Sequence, residues 1–166
     1  MWHHLSYKLS YKIITLKNDI KMTCSEQNFG KIGKIEVFDL ANISTKFNSY
    51  TSKRFVSSGD VTATNGFVLP LYPGSAKVSE GDIRGRGGYG YEVSLSWQVS
   101  RPSESDFNAL DNMRKNVKCL KITAFGGSSA YIIADEDHYQ FDYHRDGEFL
   151  NCSLKVYNIN GIQQVI

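Results

Sequence analysis

The stretch Arg84–Ser100, RGRGGYGYEVSLSWQVS, decides how the rest of the chain is read. From Tyr91 onward it alternates strictly, with Tyr91, Val93, Leu95, Trp97 and Val99 on one side and Glu92, Ser94, Ser96, Gln98 and Ser100 on the other. Successive side chains of an extended chain point to opposite faces, so a period of two predicts a strand with one face buried and one in water. Trp97 falls on the apolar side and is expected in the core. The residues before the strand, 79–90, are rich in glycine and have too little side chain to build a core. They read as a loop, and Arg84, Gly85, Arg86, Gly87, Gly88 and Tyr89 are its candidate partner-binding residues.

Downstream, Arg101-Pro102 ends the strand, and Ser103 or Ser105 can cap a helix over about 103–118. Phe107, Leu110, Met113 and Val117 recur at helical spacing. Glu104 and Asp106 stand at the start, with Arg114, Lys115 and Lys118 at the end, an order of charge that suits the helix dipole. Period two then returns in Cys119–Ala124, Ala130–Ala134, Tyr139–Tyr143 and Phe149–Tyr157, separated by turn residues such as Gly126-Gly127 and Asp146-Gly147. These segments predict a four-strand antiparallel meander. The C-terminal NINGIQQVI is expected to add a short edge strand through Asn160-Gly161.

Upstream, Ile35 and Val37 between Lys34 and Glu36 predict a first strand over 31–40. Arg54–Ser58 and Val61–Thr64 are short strand candidates, and Asn65-Gly66 is a turn dipeptide after which Phe67–Leu71 can return antiparallel. Pro70 and Pro73 end that segment, because proline cannot donate to a ladder. The first 21 residues differ from the rest: they hold the tandem LSYKLSYK and read either as a basic N-terminal arm or as a start placed before the true one at Met22. Residues 22–166 are expected to form one β-rich domain.

A chain of 166 residues is about one domain long. Ten Tyr and nine Phe, with many Val, Ile, Ser and Thr, lean towards sheet. The fold expected is mainly β, an antiparallel β-sandwich or barrel with one flanking α-helix. The formal charge is +2, but Lys8, Lys12, Lys17 and Lys21 against Asp19 account for more than the whole excess, so the body is close to neutral. That argues against a protein whose main task is gripping a phosphate backbone. Cys24, Cys119 and Cys152 are odd in number and widely spaced, with no CxxC, and read as thiols in a reducing compartment. No apolar run reaches the roughly 20 residues that span a membrane.

Three constellations could carry chemistry. RGRGGYGY resembles arginine-glycine-glycine RNA-binding segments, in which guanidinium groups and rings stack on exposed bases. It occurs once, with only Arg84 and Arg86 charged and Glu80 and Asp82 just upstream. It also lacks the lysine of a phosphate-binding loop. Asp142, His144 and Asp146 imitate the start of a calcium loop, yet Ser153 stands where a bidentate Glu is required. They are weak metal candidates on a segment that alternates like a strand. No nucleophile elbow or local Cys/His signature is present, so no catalytic residue and no cofactor is assigned.

The order YEVSLSWQV, DFNALDNMRKNV, CLKITAF and AYIIADEDHYQFDYHRDGEFLNCSLKVYNIN, over roughly residues 85–160, resembles small structural proteins of tailed bacteriophages and prophages. It is similar in particular to neck, ring or tail-completion components of phages of Bacteroidales. The resemblance implies a non-enzymatic virion protein made in the host bacterial cytoplasm. It would assemble through loops and sheet edges into a homo-oligomeric ring, with copies of itself and neighbouring virion proteins as partners. It implies proximity to DNA in a channel without specific binding, and no membrane contact. The competing readings are a carbohydrate- or peptide-binding β-sandwich, which needs an exposed aromatic platform, and an RNA-binding module built on RGRGGYGY.

Overall fold

The computed structural model describes residues 31–45, 54–85, 88–134 and 138–166, the side chain of Tyr89 excepted. The readings placed on residues 1–21, Met22, Cys24, Arg86 and Gly87 lie outside them. Lys31–Ile166 is one compact unit. In chain order it contains β1 (Ile32–Asp39), a 3-10 turn (Leu40–Asn42), β2 (Ile43–Thr45), β3 (Phe55–Val56), β4 (Val61–Ala63), β5 (Phe67–Val68), β6 (Lys77–Gly85) and β7 (Gly88–Ser100). The helix α1 (Glu104–Lys115) follows, then β8 (Lys118–Ala124), β9 (Ser129–Ile133), β10 (Tyr139–Asp146), β11 (Phe149–Asn158) and β12 (Ile162–Val165).

The alternation of β7 organises a four-stranded antiparallel sheet in the order β10-β11-β7-β6. Its register sets Val93 opposite Val156, Leu95 opposite Leu154, Trp97 opposite Cys152 and Val99 opposite Leu150. All eight are buried. Burial of a Val- or Leu-sized side chain contributes about 1.5–3 kcal/mol, so this doubled row is the main hydrophobic term of the sheet. On β10, Phe141 continues the row and stacks on Trp97, with centroids 5.8 Å apart and planes 19° from parallel.

The second layer has the order β3-β12-β9-β8-β1-β5. Ile35, Ile122 and Ala130 align across three strands, as do Val37, Leu120 and Ile132, and all six are fully buried. Parts of its other face are covered by the two-stranded ribbon β2–β4, through a cluster of Val56, Val61 and Tyr131 with Ile43, Ile133 and Val165. The fold is thus mainly β, an antiparallel sandwich with one flanking helix. The β12–β3 pair is parallel.

The helix starts where a serine can cap it. Ser103 Oγ accepts from the Asp106 N–H while Asp106 Oδ2 accepts from the Ser103 N–H, a reciprocal box that satisfies two orphan donors. Its buried residues are Leu110 and Met113. Tyr139 Oη donates to the Met113 carbonyl at 2.8 Å, and Tyr143 Oη to Asp111 at 2.8 Å, which fixes the helix along β10.

Four expectations are corrected. Residues 79–85 and 88–90 are strand, not loop: β6 and β7 pair residue for residue from Lys77↔Ser96 to Gly85↔Gly88, because β7 offers a full row of backbone partners that asks nothing of β6 side chains. Residues 67–68 do not return on 61–64; β5 pairs with β1, and β4 with β2. The four C-terminal strands are not one meander but two hairpins, β8–β9 in one layer and β10–β11 in the other. Finally, β12 is an inner strand, held between β9 and β3.

Candidate interaction surfaces

The β6–β7 hairpin outruns its sheet. The last residue of β11, Asn158, lies opposite Tyr91, whereas β7 begins at Gly88 and keeps its β6 partners through Ile83↔Gly90, Arg84↔Tyr89 and Gly85↔Gly88. Three pairs of an extended ribbon amount to roughly 10 Å beyond the sheet. Arg84 lies on this extension and is exposed. Of the six candidate partner-binding residues, Arg84, Gly85, Gly88 and Tyr89 therefore sit on strands. At Gly90 the backbone passes close over β11: a Cβ there would stand 3.1 Å from the Asn158 carbonyl oxygen. No strand among the described residues pairs with the outer edge of β6.

The foot of this arm is tied to the other layer by charge. Arg54 Nη1 donates to Glu80 Oε1 at 2.7 Å and to the Asn160 carbonyl at 3.2 Å, and Nη2 meets Glu80 Oε2. Glu80 Oε1 also accepts from the Ile162 N–H at 2.7 Å. The guanidinium lies 4.5 Å from the centre of the Tyr91 ring. The bonded carboxylate raises the pKa of Arg54 above its ordinary value, against the lowering effect of burial. Residues from the β2–β3 connection, β6, β7 and the turn before β12 thereby form one knot.

A different surface occupies the polar face of the four-stranded sheet. Tyr72-Pro73-Gly74-Ser75 makes a turn closed by the Ser75 N–H on the Tyr72 carbonyl at 3.1 Å, and it docks on β7 where β6 has not yet begun. The Tyr72 N–H donates to the Gln98 carbonyl at 2.7 Å, and the Gln98 N–H donates to Ser75 Oγ at 3.0 Å. Between this turn and the sheet lies a cleft of about 450 Å³, lined among others by Tyr72, Ser75, Lys77, Ser96, Gln98 and Asn151. Gln98, Asn151 and His144 stand side by side on β7, β11 and β10. Gln98 Nε2 donates to Asn151 Oδ1 at 2.9 Å, and Asn151 Nδ2 lies 3.4 Å from His144 Nε2. The polar half of the β7 alternation pointed to this face. That β11, β10 and the turn lie beside it was not readable, because adjacency depends on register.

Asp142, His144 and Asp146 alternate along the exposed face of β10, and successive members of such a row are roughly 7 Å apart. Asp142 accepts from Gln140 Nε2 at 3.1 Å and His144 faces Asn151, so the three do not converge. Among the described residues no three His, Cys, Asp or Glu side chains are grouped to hold a metal. Cys119 and Cys152 are buried, and burial pushes each thiol up to about 12, far from the thiolate that nucleophilic chemistry needs. Trp97 is 2% exposed and offers no platform; Tyr72, at 45%, is an exposed ring on the polar face. No helix among the described residues is long and apolar enough to cross a membrane. No protein family, curated protein or solved structure matches the chain.

Proposed function

We propose that this chain is a non-enzymatic structural protein of a phage virion, a neck, tail-ring or head–tail connector component. In this reading it assembles with copies of itself and with neighbouring virion proteins. The observation that carries the assembly reading is the β6–β7 arm, which continues past Asn158 while its foot is fixed by Arg54, Glu80 and Ile162. An isolated two-stranded ribbon is marginal in water, so one maintained beyond its sheet is best used when a second chain completes it. The outer edge of β6, with which no strand among the described residues pairs, supplies the means, since an open sheet edge accepts another strand by main-chain hydrogen bonding. The Arg54–Glu80 knot makes the arm a lever on the sandwich and not a loose tether. The phage assignment within this reading rests on the pattern resemblance.

Native mass spectrometry of the full chain, alone and mixed with the products of its neighbouring genes, tests the reading. A closed oligomer is expected. A variant with Arg84–Tyr89 replaced by a plain two-residue Asn-Gly turn should fall to monomer while keeping its unfolding midpoint, because the β7–β11 ladder is untouched. A strictly monomeric wild-type chain at high concentration in both settings would overturn it.

A further inference from the structure

We infer that the cleft beside the Tyr72–Ser75 turn is a binding site for a neutral oligosaccharide, held against the polar face of the four-stranded sheet. The inference stands apart from the assembly reading, since it uses the opposite end of β6 and none of the arm.

The first argument is the chemistry of the floor. A sugar ring presents vicinal hydroxyls, each both donor and acceptor, and planar amides answer them with a donor and an acceptor on one rigid group. Two such amides lie next to each other here. The 2.9 Å bond from Gln98 Nε2 to Asn151 Oδ1 consumes one donor and one acceptor and fixes both planes. It leaves the Gln98 side-chain oxygen, Oε1, and the second N–H of Nε2 for a ligand. The Gln98 backbone is itself held, its N–H by Ser75 Oγ at 3.0 Å and its carbonyl by the Tyr72 N–H at 2.7 Å. Groups already ordered lose little entropy on binding, which is where weak polar ligands gain their affinity. One step down β7, Ser96 lies opposite Ser153 and opposite Lys77, adding hydroxyl and ammonium donors at the same level.

The second argument is the wall. Tyr72 is 45% exposed, and its ring is set against Phe149 at 5.4 Å with planes at 78°, so its position is fixed while much of its surface stays open. Aromatic faces pack well on the C–H surface of a sugar ring, and a ring that also carries a hydroxyl suits a site with one apolar and one wet side.

The third argument is charge. Among the described residues Lys77 is the one charged side chain on the cleft lining, and no carboxylate is among them. That disfavours a cation or a metal-bridged ligand. A single lysine is a point charge and lacks the bidentate fork that fixes the geometry of a bound carboxylate. The absence of a carboxylate pair on the lining means that a glycoside held there is bound and not cleaved. A volume of about 450 Å³, open to solvent along the sheet, fits one or two sugar units of a longer chain.

The test uses the full-length protein labelled with nitrogen-15, titrated with neutral hexasaccharides of glucose, mannose, xylose, galactose and N-acetylglucosamine, and with an uncharged hexapeptide. At least one hexasaccharide should shift the side-chain amide signals of Gln98 and Asn151 saturably, with a Kd at or below about 1 mM. Asn151→Ala and Tyr72→Ala should each weaken that binding by about tenfold or more with an unchanged unfolding midpoint. Both residues are at the surface, and Asn151→Ser serves as a second variant if the alanine form is unstable. The inference is overturned if no hexasaccharide moves those signals at about 10 mM, if the variants bind as the parent does, or if the peptide alone binds.

Discussion

Glu80 on β6 and Gly161 in the turn before β12 approach so closely that a side chain on Gly161 would overlap the Glu80 carboxylate and crowd the Arg54 guanidinium. Gly161 also has φ +63°, a left-handed conformation that costs an L-residue about 1–2 kcal/mol. Its N–H is taken by Asn158 Oδ1, and Asn158 Nδ2 in turn donates to the Ile133 carbonyl at 2.7 Å. Gly161 is therefore the point at which the two layers are pinned.

Gly161→Ala should lower stability by about 2 kcal/mol or more, the conformational cost plus the overlap. In a Glu80→Ala background the carboxylate overlap is gone and the Arg54 guanidinium, no longer held by Glu80, can swing aside, so mainly the conformational cost remains and the two losses should be sub-additive by about 1 kcal/mol. Urea unfolding of the four proteins in the cycle measures this. Full additivity would mean that the carboxylate is not what Gly161 makes room for.

Lys118 and Asp39 pair across the β1–β8 ladder, and the lysine is fully buried while the aspartate side chain is 43% exposed. Removal of one partner of a buried pair strands the other, and the cost is asymmetric when only one is buried. Asp39→Ala leaves an unpaired buried ammonium and should cost about 2–3 kcal/mol, below the full buried-pair figure because water reaches Asp39. Lys118→Met removes the charge with the stem's volume kept, and should cost less. Chemical denaturation of both variants checks the order, and equal losses would contradict it.

The parts of the fold that the sequence made legible are those where side chains decide. In β7 and β11 every second residue is apolar and both strands are half-buried, so pattern and burial coincide. The helix was legible from Ser103, Asp106 and the spacing of Leu110 and Met113. The strand β6 was not, because KVSEGDIRG has no period: its hydrogen bonds come from β7 and its side chains lie at the periphery. Nor was β12, whose Gln163 is buried at 1% in an inner strand while reading as edge material. Local pattern also identified the hairpins β8–β9 and β10–β11 without revealing that they belong to different layers, since that choice rests on contacts far apart in sequence. The same limit applies to the polar cleft: Gln98 and Asn151 were legible as outward-facing residues, and only the register made them neighbours.

Trp97 carries a polar atom that the core does not satisfy. Its Nε1 is buried and has no hydrogen-bond partner among the described residues, while its ring stacks on Phe141. Leaving a buried donor unpaired costs about 1–3 kcal/mol. Trp97→Phe keeps an aromatic ring and deletes that donor, so its loss of packed volume is partly offset and the net cost should stay under about 1.5 kcal/mol. Trp97→Ala has no such offset and should cost about 3–5 kcal/mol. Thermal unfolding separates the two cases; a Phe variant as damaged as the Ala variant would show that the N–H is satisfied in solution.

The buried thiols predict loss of stability on the alkaline side. Desolvation pushes Cys119 and Cys152 up to about 12 from an ordinary value of 9.0, in Cys119 against a small opposing effect from the backbone at Ala134. Burial moves Tyr139 in the same direction. A raised pKa in the fold means that the native state keeps protons which the unfolded chain has released. The contribution is therefore intact below about pH 9 and falls as pH climbs towards 12, by about 1.4 kcal/mol per pH unit for each thiol still protonated in the fold. Urea midpoints measured between about pH 8 and 11 should drop steadily, and the Cys119→Ala/Cys152→Ala double variant should start lower but fall less steeply. Cys119 and Cys152 should also resist thiol reagents until the protein unfolds. An unchanged pH slope in the double variant would assign the alkaline loss to Tyr139 instead of the thiols.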